Sequence, residues 1–244
     1  KREKYLNILF VTFTEYEKNL PMAIVFPPEV LKNTLGEILS QAGLKQLRIA
    51  ETEKYAHVTY FFNGGREDKS PGEEQILVSS PAVSSYDLKP EMSALEITDK
   101  VLKAIEQASY DFILINFANA DMVGHTGNLP ATIKAVEIVD KCVGKIVKAV
   151  LGRGGLSFIT SDHGNAEGLF NMQTGMIDKE HSANPVPLLI VGQEYEGKSL
   201  SLPEAPGGDL SLIQPQGLLS DVAPTILKVM GLEKPSEMTG RSLI

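Results

Sequence analysis

A carboxylate and an imidazole stand side by side at Asp162 and His163, with Gly164 directly after them. Asp and His offer oxygen and nitrogen donors, and a glycine lets the backbone turn sharply beside them, a combination that suits a divalent metal ion. The tripeptide is short, and a polar turn reads the same way. A second pair changes its weight. Asp121 and His125 lie four residues apart, and a single helical turn would put both side chains on one face, within reach of one ion. The chain has four histidines, and three of them, His125, His163 and His181, fall in loops beside apolar, strand-like runs. His57 has no metal partner nearby in sequence and reads as a structural residue among aromatic neighbours. Metal ions held by Asp and His without thiolates suit hydrolysis or phosphoryl transfer more than redox work. Two such ions can hold a phosphoryl group between its attacking and leaving oxygens and screen the charge that develops. Such a site also wants side-chain cations. Lys54, in a loop after a strand, is a candidate to contact phosphate, its alternative being a solvated charge at a helix start; Arg66, between Gly65 and Glu67, is another. No serine stands out as an activated nucleophile.

Strands and helices must bring these groups together. Residues 110–117 and 155–160 are apolar and β-rich enough to read as buried strands, so each metal-ligand pair falls just past a strand's carboxyl end. Between them, residues 129–152 read as one long helix: Pro130 sits in its first turn, and Ile133, Val136, Val139, Val143, Ile146 and Val150 recur at intervals of three and four. Strand, helix, strand is a crossover unit, which places both pairs on one edge of a sheet, where open α/β folds bind ligands. His181 precedes a strand at 188–191 and would lie at the wrong edge if that strand were parallel. The strand is therefore expected to be antiparallel, or the loop from Asn165 to cross back over the ligand edge. Upstream, a helix ending at Gly43, a strand at 47–50 running toward Lys54, with Thr52 as a possible cap, and an amphipathic helix over 91–109 complete an α/β pattern. A last helix opens near Ser220, packs Ile226, Leu227 and Met230 inward, and ends at Gly231.

Composition sets outer limits. The 244 residues allow one large α/β domain, and 43% hydrophobic with 22% charged residues is the balance of a soluble globular protein. A net charge of −8 argues against a nucleic-acid partner held by a basic surface. No apolar run approaches the length of a membrane span. The single cysteine, Cys142, cannot form an intrachain disulfide, so a cytoplasmic location is expected. The chain starts at Lys1 and enters a strand-like run at residues 6–13 almost at once, so it is expected to be part of a longer protein. Residues 1–28 supply one strand and a linker with paired prolines, too little to bury its own faces.

Taken together, the segments at 48–59, 64–67, 86–93, 116–127, 161–165 and 181–187 resemble those of cofactor-independent phosphoglycerate mutase, a manganese enzyme family of the alkaline phosphatase superfamily. The resemblance implies a three-layer α/β/α fold with a mostly parallel mixed sheet, lacking the family's N-terminal segment. It implies that Asp121, His125 and His181 hold one Mn2+, that Asp162 and His163 hold part of a second, and that Lys54 contacts the phosphoryl group or its acceptor oxygen. The implied reaction interconverts 3-phosphoglycerate and 2-phosphoglycerate through a phosphoserine enzyme, in glycolysis and gluconeogenesis, with no 2,3-bisphosphoglycerate required. In that family the nucleophilic serine, an aspartate for the second ion and the substrate-gripping arginines come from segments without a counterpart here. Residues 1–28 are accordingly expected to be a remnant strand and linker of an otherwise absent inserted (transferase) domain, and residues 29–244 a metal-binding phosphatase-like domain incomplete at its N-terminus. The chain alone is expected to be an inactive, monomeric fragment with one complete set of metal ligands, whose natural partner is the missing N-terminal part of the same protein. The alternatives are a phosphopentomutase or metal phosphomonoesterase of the same superfamily, and a non-catalytic scaffold fragment that keeps the metal motifs as relics.

Overall fold

A computed structural model describes residues 8–17, 19–27, 31–170, 175–198, 209 and 212–244. The chain divides into two units, Lys1–Lys32 and Asn33–Ile244. In the first, β1 (Val11–Thr12) pairs in parallel with β2 (Ala23–Ile24), Val11 opposite Ala23. Of the longer strand expected over 6–13, this short stretch is the part that forms among the described residues; Leu6 and Asn7 lie outside them.

The second unit is built on β3 (Gln46–Glu51), whose six residues are all buried. It lies between β4 (Glu73–Val78) and β5 (Phe112–Asn116), parallel to both, with Ile49 opposite Ile76 on one side and Ile115 on the other. Two helices cover one face: α3 (Ala94–Gln107) and α5 (Leu129–Gly152) bury Ile97, Val101 and Ile146 against Ile49 and Val78. The other face receives α1 (Leu35–Gln41) and α6 (Val222–Val229), whose Leu35, Leu39, Ile226 and Leu227 pack with Phe112 and Phe158. A further antiparallel pair, β6 (Ser157–Thr160) with β7 (Leu188–Val191), completes a mixed, mostly parallel strand set between two helical layers. Among the described residues β5 and β6 are not hydrogen-bonded to each other, so the crossover joins two separate groups of strands.

Local chemistry explains the element ends. At the start of α1, Thr34 Oγ1 accepts from the Glu37 amide while Glu37 Oε2 accepts from the Thr34 amide, a reciprocal cap. The helix stops where Gly43 takes φ +72° and the Leu44 amide reaches back to the Leu39 carbonyl at 3.0 Å. Thr34→Ala should therefore cost about 1 kcal/mol in urea unfolding. Asn128 caps α5 by accepting from the Ala131 amide at 3.2 Å, with Pro130 in the first turn.

Two readings need correction. The buried face of α5 is made by Ala131, Thr132, Ala135, Cys142 and Ile146, whereas Ile133 and Val136 are exposed. Small residues let α5 lie close to its neighbours, and the Cys142 thiol sits against the Ala94 carbonyl at 3.8 Å. Nor does Thr52 cap the turn after β3. Its hydroxyl instead accepts from the Ser80 amide at 3.1 Å and ties that turn to the end of β4.

Candidate metal centre

The loops that leave the strand ends converge. From the carboxyl end of β3, a 3-10 turn at Thr52–Lys54 leads into the short helix α2 (Tyr55–Val58) and carries Lys54. From the neighbouring end of β5, α4 (Asn119–Gly124) carries Asp121, and His125 is its last cap residue. Asp162 and His163 follow β6. Because β7 is antiparallel to β6, with Leu188 opposite Thr160, the chain ahead of β7 lies at the same end as the chain beyond β6. That topology carries His181 to this rim.

Three donor atoms form a nearly equilateral triangle. His181 Nε2 lies 3.0 Å from Asp121 Oδ1, His125 Nε2 lies 3.1 Å from the same oxygen, and the two imidazole nitrogens are 3.0 Å apart. Two ring nitrogens and a carboxylate oxygen facing one another this closely are held by a shared proton or by a metal ion. A triangle with edges of about 3.0 Å is one face of a coordination octahedron with arms of about 2.1 Å, while tetrahedral arms of the same length need edges of about 3.4 Å. His125 Nδ1 contacts the Lys179 carbonyl at 2.6 Å, which turns its Nε2 toward the triangle in the way metal-ligating histidines are oriented. His163 stacks on His181 with ring centroids 3.7 Å apart and joins Asp121 and His181 in a cluster compact enough to hold an ion. Asp162 is more exposed and lies at the rim, its Oδ1 3.6 Å from His163 Nε2.

Lys54 is buried, and its Nζ donates to Asp121 Oδ2. It is therefore not a solvated charge. Burial alone would raise the Asp121 carboxyl, but the hydrogen bond and charge of Lys54, with help from His125 and His163, hold it below its ordinary value of 3.8. Glu167 behaves alike: burial pushes it up, and hydrogen bonds from Ser182, Asn184 and nearby backbone amides outweigh that and lower it. A carboxyl depressed on folding contributes stability that is complete above its unfolded pKa and is lost as pH falls through the lower folded value. The thermal midpoint of the metal-free chain should accordingly be insensitive to these two groups between pH 6 and 8 and should fall on acidification below about pH 4, with a shallower acid limb for Glu167→Gln.

Two groups escaped the sequence reading. His57 has no metal partner nearby in sequence, yet in space the charges of Lys54, Asp162 and Asp121 all act on it; its pKa is lowered, chiefly by burial, and its buried Nδ1 has no hydrogen-bond partner among the described residues. Glu51, at the end of β3, is fully buried and accepts from Ser80 Oγ at 2.9 Å and from the Ser93 amide at 3.3 Å. Burial pushes this carboxyl up, and its contacts fix the start of α3 to the strand that delivers Lys54. Arg66, the other suggested cation, pairs with Glu37 at 2.7 Å, on the α1 side. Among the described residues no helix is long and apolar enough to cross a membrane.

Comparison with known proteins places this geometry. Residues 6–234 match the model of the Metalloenzyme superfamily. The chain is 54% identical over its whole length to a 2,3-bisphosphoglycerate-independent phosphoglycerate mutase of Clostridioides difficile, covering 45% of that protein. A protein of the same name from a Synechococcus species is 52% identical over 97% of this chain and is covered to 43%. The crystal structure of Leishmania mexicana phosphoglycerate mutase at low cobalt concentration superposes with a TM-score of 0.75 at 30% identity, over 95% of this chain and 43% of that one. The chain therefore spans less than half the length of the curated relatives it matches.

Proposed function

We propose, from the premise that this chain belongs to the Metalloenzyme superfamily, that it is the metal-binding portion of a longer phosphoglycerate mutase working without 2,3-bisphosphoglycerate. The donor triangle of Asp121, His125 and His181 carries the reading. These three residues would hold one ion, and Asp162 with His163 would hold part of a second; manganese suits the oxygen and imidazole donors and the octahedral edge length. Ions bound there would supply Lewis acidity and screen charge on a phosphoryl group.

The chain's own residues have distinct tasks in this scheme. Lys54 brings an ammonium to the phosphoryl oxygens or the acceptor oxygen, and its burial keeps that charge strong by keeping water away. Asp121 anchors Lys54 with one oxygen and faces the histidines with the other. The remainder of the protein, in this reading, contributes the serine that carries the phosphoryl group between the 3- and 2-positions of glycerate, an aspartate for the second ion and arginines that grip the substrate. The chain by itself is then monomeric and without mutase activity, and the whole protein serves glycolysis and gluconeogenesis in the cytoplasm.

The test is a coupled assay that follows 2-phosphoglycerate formation from 3-phosphoglycerate with added Mn2+. The longer protein should turn over and the 244-residue chain should not. Full turnover by the chain alone would overturn the division of labour. Turnover of ribose phosphates by the longer protein, with none of phosphoglycerate, would favour a phosphopentomutase.

A further inference from the structure

The residues that could ligate metal sit on three stretches of chain, joined at the ligands themselves by the triangle, by the stacking of His163 on His181 and by the contact of His125 Nδ1 with the Lys179 carbonyl. A separate set of contacts joins two of these stretches. The Ser182 amide donates to the Gly164 carbonyl at 2.8 Å, so the residues that directly follow His181 and His163 are bridged. Across the same junction Glu167 Oε1 accepts from Ser182 Oγ and from Asn184 Nδ2, the latter at 3.0 Å, while its Oε2 accepts from the Asn165 amide at 2.8 Å. One carboxylate thus grips both the loop after β6 and the loop before β7. Gly164 makes the grip feasible: a Cβ there would collide with Glu167 Oε1 and Ser182 Oγ. Gly124 has a matching role next to His125, where a Cβ would collide with the buried Asn165 Oδ1.

We propose that Glu167 is a positioning residue for the metal centre: by clamping Ser182 and Asn184 to the Asn165 amide it sets the separation of His163 and His181. Among the described residues Glu167 makes no hydrogen bond to a member of the donor triangle and acts through the loops that carry them. The inference rests on the metal reading above, and its test separates the two. In the metal-free 244-residue chain, stacked imidazoles shift each other's ring protons, so NMR of the histidine side chains reads the clamp without metal. Mn2+ titration calorimetry then reads the consequence. Glu167→Ala should lose the mutual ring shifts of His163 and His181 and bind Mn2+ about 10–100-fold more weakly, the usual effect of removing a partner that orients ligands. Glu167→Gln, which keeps one acceptor oxygen for Ser182 and Asn184, should restore most of the ring shifts and lose only a few-fold in affinity. Should Glu167→Ala fail to fold, Ser182→Ala and Asn184→Ala each remove one donor and should show the same changes in smaller measure. A folded Glu167→Ala with the parent's ring shifts overturns the proposal. A parent chain that keeps those shifts but takes up no Mn2+ overturns the metal reading and leaves the clamp standing.

Discussion

Asp121→Asn should abolish divalent metal binding by this chain and, at the same time, cost about 3–5 kcal/mol of folding stability. Both effects come from one carboxylate with two jobs. Oδ1 is the only oxygen in the donor triangle, so an amide there removes the negative charge that faces His125 and His181. The loss should exceed the roughly 10–100-fold that an orienting partner is worth. Oδ2 meanwhile neutralises the Lys54 ammonium, and the side chains of the two are only 10% and 14% exposed, so the pair counts as buried. Removing one partner leaves a charge with neither water nor counter-ion, which costs more than the pair ever contributed. The double variant Lys54→Met with Asp121→Asn should therefore be more stable than Asp121→Asn alone, while remaining unable to bind metal. Urea unfolding and Mn2+ calorimetry on the four members of that cycle decide the matter. Equal stability of the double and single variants would mean that Lys54 finds another partner or reaches solvent.

Gly240→Ala should produce the opposite profile, a loss of about 3 kcal/mol in stability with metal affinity unchanged. The C-terminal tail runs against the start of α6, where the Arg241 amide donates to Asp221 Oδ1 at 2.8 Å and the Leu243 amide to Thr225 Oγ1 at 3.0 Å. A Cβ on Gly240 would come within 2.6 Å of the Ser220 carbonyl carbon and closer still to its oxygen. A backbone carbonyl cannot swing aside as a side chain can, so the tail must lift and give up those hydrogen bonds. Among the described residues no hydrogen bond or ion pair joins this tail to the histidines, which makes the variant a control for destabilisation without damage to the centre. A Gly240→Ala protein that unfolds in urea like its parent would refute the collision.

Much of the architecture could be read from residue pattern because several signals agreed. The bounds of α5 followed from Pro130 in the first turn and a long apolar period, and the Asn128 cap seen in the structure agrees with them. The antiparallel course of β7 was one of two arrangements that would bring His181 to the ligand edge, the other being a loop that crosses back, and the register with β6 shows the first. The face on which α5 lies was not legible. The row through Ile133, Val136 and Val143 is at least as apolar as the row through Ala131, Ala135, Cys142 and Ile146. Hydrophobicity ranks bulk, whereas close helix contact selects small side chains. Arg48 shows the converse: a charge in a strand suggests an exposed edge, yet this guanidinium is fully buried over the Phe62 ring at 4.1 Å, and its pKa falls to about 10, chiefly from burial. His57 was passed over because its relation to the centre runs through space, although its place three residues after Lys54 on a short helical turn was a usable hint. Glu167 likewise lies only a few residues beyond His163, but spacing alone does not distinguish a clamp from a solvated carboxylate.

The outward row of α5 has a practical corollary. Leu129, Ile133 and Val136 remain 38%, 51% and 45% exposed on successive turns, and wetting hydrocarbon of that kind costs roughly 25 cal/mol for each Å². Any greasy object that presses on them relieves the cost, a sister molecule included. Concentrated stocks should therefore scatter light and turn cloudy with time, and a charged side chain at either of the last two positions should keep them clear.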